Sequence, residues 1–522
     1  MANLQARPFF YINTLLGRFY SMKIQKTALM GMSAVLLAGL VVGCSSNNSA
    51  PASTSSGAAS TSGAVKNKDV KVMRTYHPSM EQFKGSETIN DNKLVNVLKE
   101  KSGFNVKFES LPKDNPNQKI SIILASGDVP DIMLIPGKSD YFKLAQQGAF
   151  EPLDELAKTN IPNLSTFLPK EILDASKLDG KMYGIPVRVA QKVGNGLLER
   201  SDILKELSLK EPTTMDEMYT TLKTIKEKKN MAPLTGAAGN PGAFMASFVP
   251  YASAFGVGNS TVTKNGKLEF SWLQPEYKEY LTTMKKWYSE GLIDQEFAIN
   301  KDIKDKMING TAAFGTVYWG DALAIDTSIK DKKTGGTLQY IPPVSGKNGA
   351  AGFQEEGIPG SYIVIPKQAK NKEGAAAFIN YIMNADTDKF LTYGIEGQDY
   401  KVDNGQIVQT PEQSNNIPWR TLYFFGDSDP SFNARLKVKG FLPYYEPLLK
   451  FKQNREETSY APSIEAYDTK FTELRNYTEE NALKFIMGKR DLGEFDKFVQ
   501  EFNAKGGKAA IDAMNEWFTK KK

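Results

Sequence analysis

Residues 70–135 carry the reading on which the fold turns: VKVMR at 70–74, LVNVLKEK at 94–101, FNVKFES at 104–110, NQKISIILAS at 117–126 and DIMLI at 131–135. The first stretch alternates apolar and polar residues, as a half-buried strand does. Leu94, Val95, Val97 and Leu98 predict a helix over 92–101, and Gly103 is placed to stop it. Phe104, Val106 and Phe108 alternate with Asn105, Lys107 and Glu109, which reads as a second strand. A second helix is expected over 117–126, closed by Gly127. The short apolar run at 131–135 then suits a buried parallel strand. Strand, helix, strand, helix, strand at this spacing predicts an open α/β sheet covered on both faces. Ligands on such sheets bind beyond the carboxyl ends of the strands. That places Tyr76, His77 and the 137–141 loop at a candidate cleft.

Upstream, Lys23 and Lys26 precede an apolar run over 28–42 that ends in Val41-Val42-Gly43-Cys44. The run is shorter than the roughly 20 residues of a spanning helix and has the length of a secretory signal. Its ending resembles the bacterial lipobox, so residues 22–43 are expected to be a lipoprotein signal peptide. Cys44 is then the lipidation site, carrying acyl chains such as palmitate that hold the chain at the membrane. The sequence has a single Cys, and it stands at this place. Residues 1–21 fit the signal poorly and read as an upstream extension. After Cys44, residues 45–68 are rich in Ser, Thr, Ala and Gly, with no aromatic, Leu or Ile. Such a composition cannot bury a core and reads as a tether.

The leader holds four basic residues and no acidic one, so the remainder carries 61 Lys+Arg against 59 Asp+Glu. That near balance argues against nucleic acid as a partner. Some 450 ordered residues exceed a single core, and two lobes are expected.

Several segments resemble one family. ASGDVPDI at 125–132 is similar to a signature of extracellular solute-binding proteins of sugar ABC transporters, and DGKMYGIP at 179–186 looks like their hairpin. The passage from 197 to 217, with Asp202-Ile203-Leu204 and Pro212-Thr213-Thr214, resembles another of their motifs. So does NGTAAFGTVYW at 309–319, similar to a strand of the maltose-binding group. GIEGQDY at 394–400 and the segment from Ile486 to Phe498 resemble LplA-type lipoproteins. The resemblance implies a two-lobed periplasmic-binding-protein-like fold of type 2, each lobe an open α/β sheet, with a hinge of several strands that closes on ligand. The first lobe is expected at 69–188 with about 352–400, and the second at 189–351 with about 401–522. Helix residues Met284, Trp287 and Tyr288 are expected to pack in a core.

Relatives of the alginate type carry an acidic calcium loop where this chain has KEKKNMAPL at 226–234. A hard cation wants several converging oxygens, and lysines supply none, so no metal is expected there and no cofactor elsewhere. The chain has one His, no Cys after Cys44, and neither GxSxG nor a P-loop, which starves triads, zinc sites and thiol chemistry of parts. A carboxylate pair for glycoside cleavage stays open, with Glu355-Glu356 its best candidate.

Sugar binding uses flat aromatic faces and planar polar side chains. The aromatic candidates are Trp319, Tyr318, Trp419 in an exposed-looking turn, and Tyr362. The polar ones are Asp140, Arg188, Asn195, Glu355, Glu356 and His77. Core packing competes with each aromatic, least for Trp319, where the family position matches. The expected function is a monomeric, membrane-anchored lipoprotein on the extracytoplasmic face. It captures an oligosaccharide and passes it to the permease subunits of an ABC importer. The alternatives are the same scaffold binding a peptide or other small solute, and a secreted carbohydrate-active enzyme.

Overall fold

The computed structural model describes residues 65–333, 335–357 and 359–521. The expected upstream extension, signal peptide, Cys44 and the tether up to residue 64 lie outside the described residues. The first strand, β1 (Asp69–Arg74), leads to helix α1 (Lys93–Ser102), then β2 (Asn105–Ser110), α2 (Pro116–Ser126), β3 (Ile132–Pro136) and α3 (Lys138–Gln146). The two glycine stops act as read. Asn92 caps α1 by accepting the backbone N–H groups of Leu94 and Val95, while Gly103 ends it at φ 67°. Gly127 closes α2 at φ 76°, a backbone geometry that a side chain would strain.

The chain next makes a tight hairpin at Asp179-Gly180, both at positive φ, and reaches β4 (Ile185–Pro186). It crosses to a second sheet through β5 (Asn195–Arg200), helix α4 (Met215–Lys229), α5 (Ala243–Ala254), α6 (Pro275–Ser289), β6 (Phe314–Tyr318), α7 (Trp319–Asp331) and β7 (Leu338–Ile341). Through β8 (Phe353–Gln354) it returns to β9 (Ser361–Val364) and α8 (Lys372–Ile382). Beyond these come α9 (Asp429–Val438), α10 (Leu442–Leu449), β10 (Gln453–Asn454), α11 (Glu465–Ile486), α12 (Phe495–Ala504) and α13 (Gly507–Lys521).

The first sheet has the order β2-β1-β3-β9-β4, with β1 parallel to β2 and β3, and β9 antiparallel to β3 and β4. The second has the order β6-β5-β7 and is antiparallel. Side-chain alternation covers both faces of each. Val70, Val72, Ile132 and Leu134 enter one core, and Met73, Met133 and Ile135 the core on the opposite face. In the second sheet Leu197 and Phe314 point one way, Leu198 and Val317 the other. Strand periodicity of two, with apolar residues on both phases, produces this sandwiching. Met284 and Trp287 lie in the larger core, with Tyr288 packed against it.

Between the sheets, segments run side by side: Val193 bridges Glu355, and Arg188 bridges Gly426. β8 pairs in parallel with β10. One segment departs from the expected layout. Ile417, Trp419, Leu422 and Tyr423 are buried in the core that holds Val70, Leu94 and Phe108, so this part of the 401–522 stretch packs with the first sheet. Pro418 opens a short 3-10 turn, Pro418–Tyr423, which points these side chains inward.

Candidate functional site

The carboxyl ends of β1, β3 and β4 all face the seam toward the second lobe. Arg74 ends β1 and His77 follows it; Lys138 opens α3 after β3; Pro186 ends β4. Across the seam stand Ser459 and Tyr460, leaving a gap of about 10 Å³ beside Lys138, Pro186 and Tyr362. The lobes also touch through charge. Glu171 accepts from Arg455, and from Lys521 at 3.3 Å, while the Arg455 guanidinium lies 3.5 Å from the Tyr460 ring centroid.

On the second lobe, Asn195 begins β5 and stands opposite Tyr318 at the end of β6. With Ser247, Lys304, Thr316 and Asp321 they line a cavity of about 170 Å³, where Lys304 pairs with Asp321 at 2.8 Å. Tyr318 is 37% exposed, and its hydroxyl bonds to Gln191 Oε1 at 3.1 Å. Burial pushes that phenol up to about 12, with the Glu356 and Asp321 carboxylates adding to the shift. A larger cavity, about 330 Å³, opens between α5 and α11 and is lined by Phe244, Trp272, Tyr277, Tyr280 and Tyr467, with Arg475 among its polar groups.

The candidate aromatics separate sharply. Trp319 is only 6% exposed. Phe432, Phe441 and Tyr445 meet it edge-on at 5.9, 5.4 and 5.3 Å, so its faces are packed rather than offered to a ligand. As the first residue of α7 it turns back into the second lobe, and its neighbour Tyr318 is the aromatic left at the surface. Trp419, expected in an exposed turn, is 1% exposed and packs on Phe83 at 5.3 Å. Tyr362 is buried too, stacked on Tyr141 at 4.0 Å.

Among the polar candidates, Glu355 accepts from the Tyr460 hydroxyl at 3.0 Å and leaves Oε2 buried without a partner. Glu356 lies beside Gly194, donates its backbone N–H to Lys192 O at 3.0 Å, and has its carboxyl pushed up by burial. Arg188 reaches Asp429 at 3.3 Å and lies over Phe167. Asp140 accepts from Asn117 at 2.7 Å, on the first lobe. His77 caps the turn Pro78–Gln82, and burial, then Arg74 and Lys439, pull its imidazole down. The seam and hinge therefore gather Tyr318, Asn195, Glu355, Glu356, Arg188 and His77, and leave Trp319, Trp419 and Tyr362 in cores. Arg74, Gln191, Lys439 and Tyr460 were not singled out from the sequence. Of these, only Arg74 carried a readable signal, its place at the carboxyl end of the first strand.

At residues 226–234 the Lys226 ammonium donates to the Glu290 carbonyl, Lys229 pairs with Glu206, and Asn230 ends α4 at φ 52°. Among the described residues no group of three or more His, Cys, Asp or Glu is placed to hold a metal ion, and no helix is long and apolar enough to cross a membrane.

Lipoprotein LipO of Bacillus subtilis (strain 168) is 25% identical over 457 residues, which cover 82% of this chain and 89% of that protein. The polygalacturonan/rhamnogalacturonan-binding protein YtcQ of the same organism is 24% identical over 79% of this chain and 85% of its own length. Among solved structures, an HMO-binding solute-binding protein associated with an ABC transporter, from Bifidobacterium longum infantis, superposes with a TM-score of 0.67. It is 18% identical, over 87% of this chain and 99% of that one, and shares the fold. The model of the bacterial extracellular solute-binding proteins matches residues 84–389. With two α/β lobes meeting at a hinged seam and that match over more than half its length, the chain belongs to the family of bacterial extracellular solute-binding proteins.

Proposed function

We propose that the chain is a lipoprotein anchored through Cys44 on the extracytoplasmic face of the membrane, where it captures an oligosaccharide between its lobes and delivers it to an ABC permease. The observation that carries the reading is the seam itself. Strand ends of the first sheet meet Ser459 and Tyr460 of the second lobe, and the exposed Tyr318 stands beside the hinge segments at Gln191 and Glu356. Such an arrangement suits a ligand that both lobes must reach, so that binding favours the closed form. The sugar-binding names of YtcQ and of the Bifidobacterium protein point the same way. The outer faces of both lobes would meet the permease subunits, with one chain acting alone. We place the lobe boundaries near 188 and 352, and assign 417–425 to the first lobe because Trp419 packs there.

Titrating the protein with a panel of oligosaccharides and a panel of peptides tests the reading. One-to-one binding of an oligosaccharide without cleavage products is expected. Binding of peptides alone would move the protein to another solute class, and released sugar fragments would make it an enzyme.

A further inference from the structure

Positive charge at the carboxyl end of β1 stands without a counterion. Arg74 is 7% exposed, its Nε is buried with no hydrogen-bond partner, and among the described residues its guanidinium enters no ion pair. The Tyr423 phenol is its one charge-relevant neighbour, and cations gather close by. His77 lies three residues on, and its imidazole feels both Arg74 and Lys439, the residue that follows α9. Arg420 is 2% exposed, with its Nη1 and Nη2 spent on the Ser414 carbonyl and hydroxyl and its Nε also unpartnered. Nearby carboxylates are engaged elsewhere: Asp427 holds Arg435 at 2.7 Å, Asp399 holds Lys93, and Asp388 accepts from Ser428. Burial, with little to offset it, pulls Arg74 and Arg420 each down to about 10. Lys439 is pulled down as well, by the protein atoms crowded about its stem and then by Arg420 and Arg435, although its side chain still reaches solvent.

The cluster reaches the seam. Lys439 is solvent-exposed, and the next residue, Gly440, lies near Leu323 of α7 in the second lobe. Cations drawn together at a strand end, one buried without a partner and one open to solvent, leave a place for negative charge supplied from outside. Guanidinium and ammonium groups match carboxylate and sulfate oxygens in particular.

We propose that the captured oligosaccharide is anionic, and that Arg74 and Lys439 receive its charged substituents at the β1 end of the seam. This rests on the sugar-capture reading above. Uronate carboxylates and sulfate esters are the two sources of such charge. Calorimetric titration should therefore compare an oligogalacturonate, its fully methyl-esterified neutral counterpart, and a sulfated oligosaccharide of similar length. A charged ligand is expected to bind at least tenfold tighter than the neutral one, and the charged arm that wins identifies the substituent. Lys439→Gln, at an exposed position, should shrink the preference at least threefold with the melting temperature unchanged. Arg74→Gln should shrink it further. Equal affinity for charged and neutral oligosaccharides would overturn the proposal while leaving sugar capture intact, as would a preference that both variants retain. Binding of no oligosaccharide of either kind would overturn the sugar reading itself.

Discussion

Trp319 and Tyr318 are adjacent in sequence and opposite in role. The indole fills an aromatic core with Phe432, Phe441 and Tyr445, so Trp319→Ala should cost about 3–5 kcal/mol of stability, as core aromatic truncations do. Chemical denaturation would measure it. Tyr318→Ala should do the reverse, weakening oligosaccharide binding by about 2 kcal/mol, roughly thirtyfold in Kd, with little change in melting temperature. Family position drew attention to the tryptophan, but whether a side chain at a strand end turns inward depends on what packs beyond it. Here that is α9 and α10, more than a hundred residues later in the chain. The sequence carries no local trace of that packing. His77 was legible because its placement depends only on the strand before it.

Glu199 offers a residue-scale test of pH dependence. It is buried in β5 with Oε2 unpartnered, and burial, then Glu211, pushes its carboxyl up to about 7. The folded state therefore holds this proton more tightly than the unfolded one. The stability linked to it is present at acid pH and is lost as pH rises from the unfolded carboxylate range through about 7. Glu199→Gln should consequently stabilise the protein by about 2 kcal/mol at pH 8 and by little at pH 4. Melting curves at the two pH values would show it.

Elements were the most legible scale. Alternation in β1 and β2, Gly103 after α1 and Gly127 after α2 are local signals, and each acts where it was read. The 417–425 segment was not legible in this way. A Trp beside a Pro in a polar neighbourhood looks like an exposed turn, and only the core beneath it turns it inward. At the end of α4, Lys226 ties that helix to the loop after α6 through the Glu290 carbonyl. Chelator should leave the melting temperature unchanged, whereas Lys226→Met should remove about 1 kcal/mol. A fall of several degrees with EDTA, restored by calcium, would contradict this.

At the scale of the molecule, two lobes meet at a seam, and the proposed capture closes them on a ligand. The Glu171–Arg455–Lys521 contact crosses the seam on partly exposed side chains, and such pairs contribute about 0.5–1 kcal/mol. Glu171→Gln should therefore weaken ligand affinity by roughly two- to fivefold. The loss comes through a more open unliganded state, seen as a larger radius of gyration in solution scattering. Anchoring is separable from capture: Cys44→Ala should release the folded protein into the soluble fraction with its affinity intact, and retention on membranes would remove the lipoprotein reading. Capture itself is tested most directly by calorimetric titration of the purified protein with oligosaccharides, in parallel for the native chain and Tyr318→Ala. The account predicts saturable one-to-one binding that the substitution weakens roughly thirtyfold while the melting temperature holds. Absence of oligosaccharide binding, or binding indifferent to Tyr318, would contradict it.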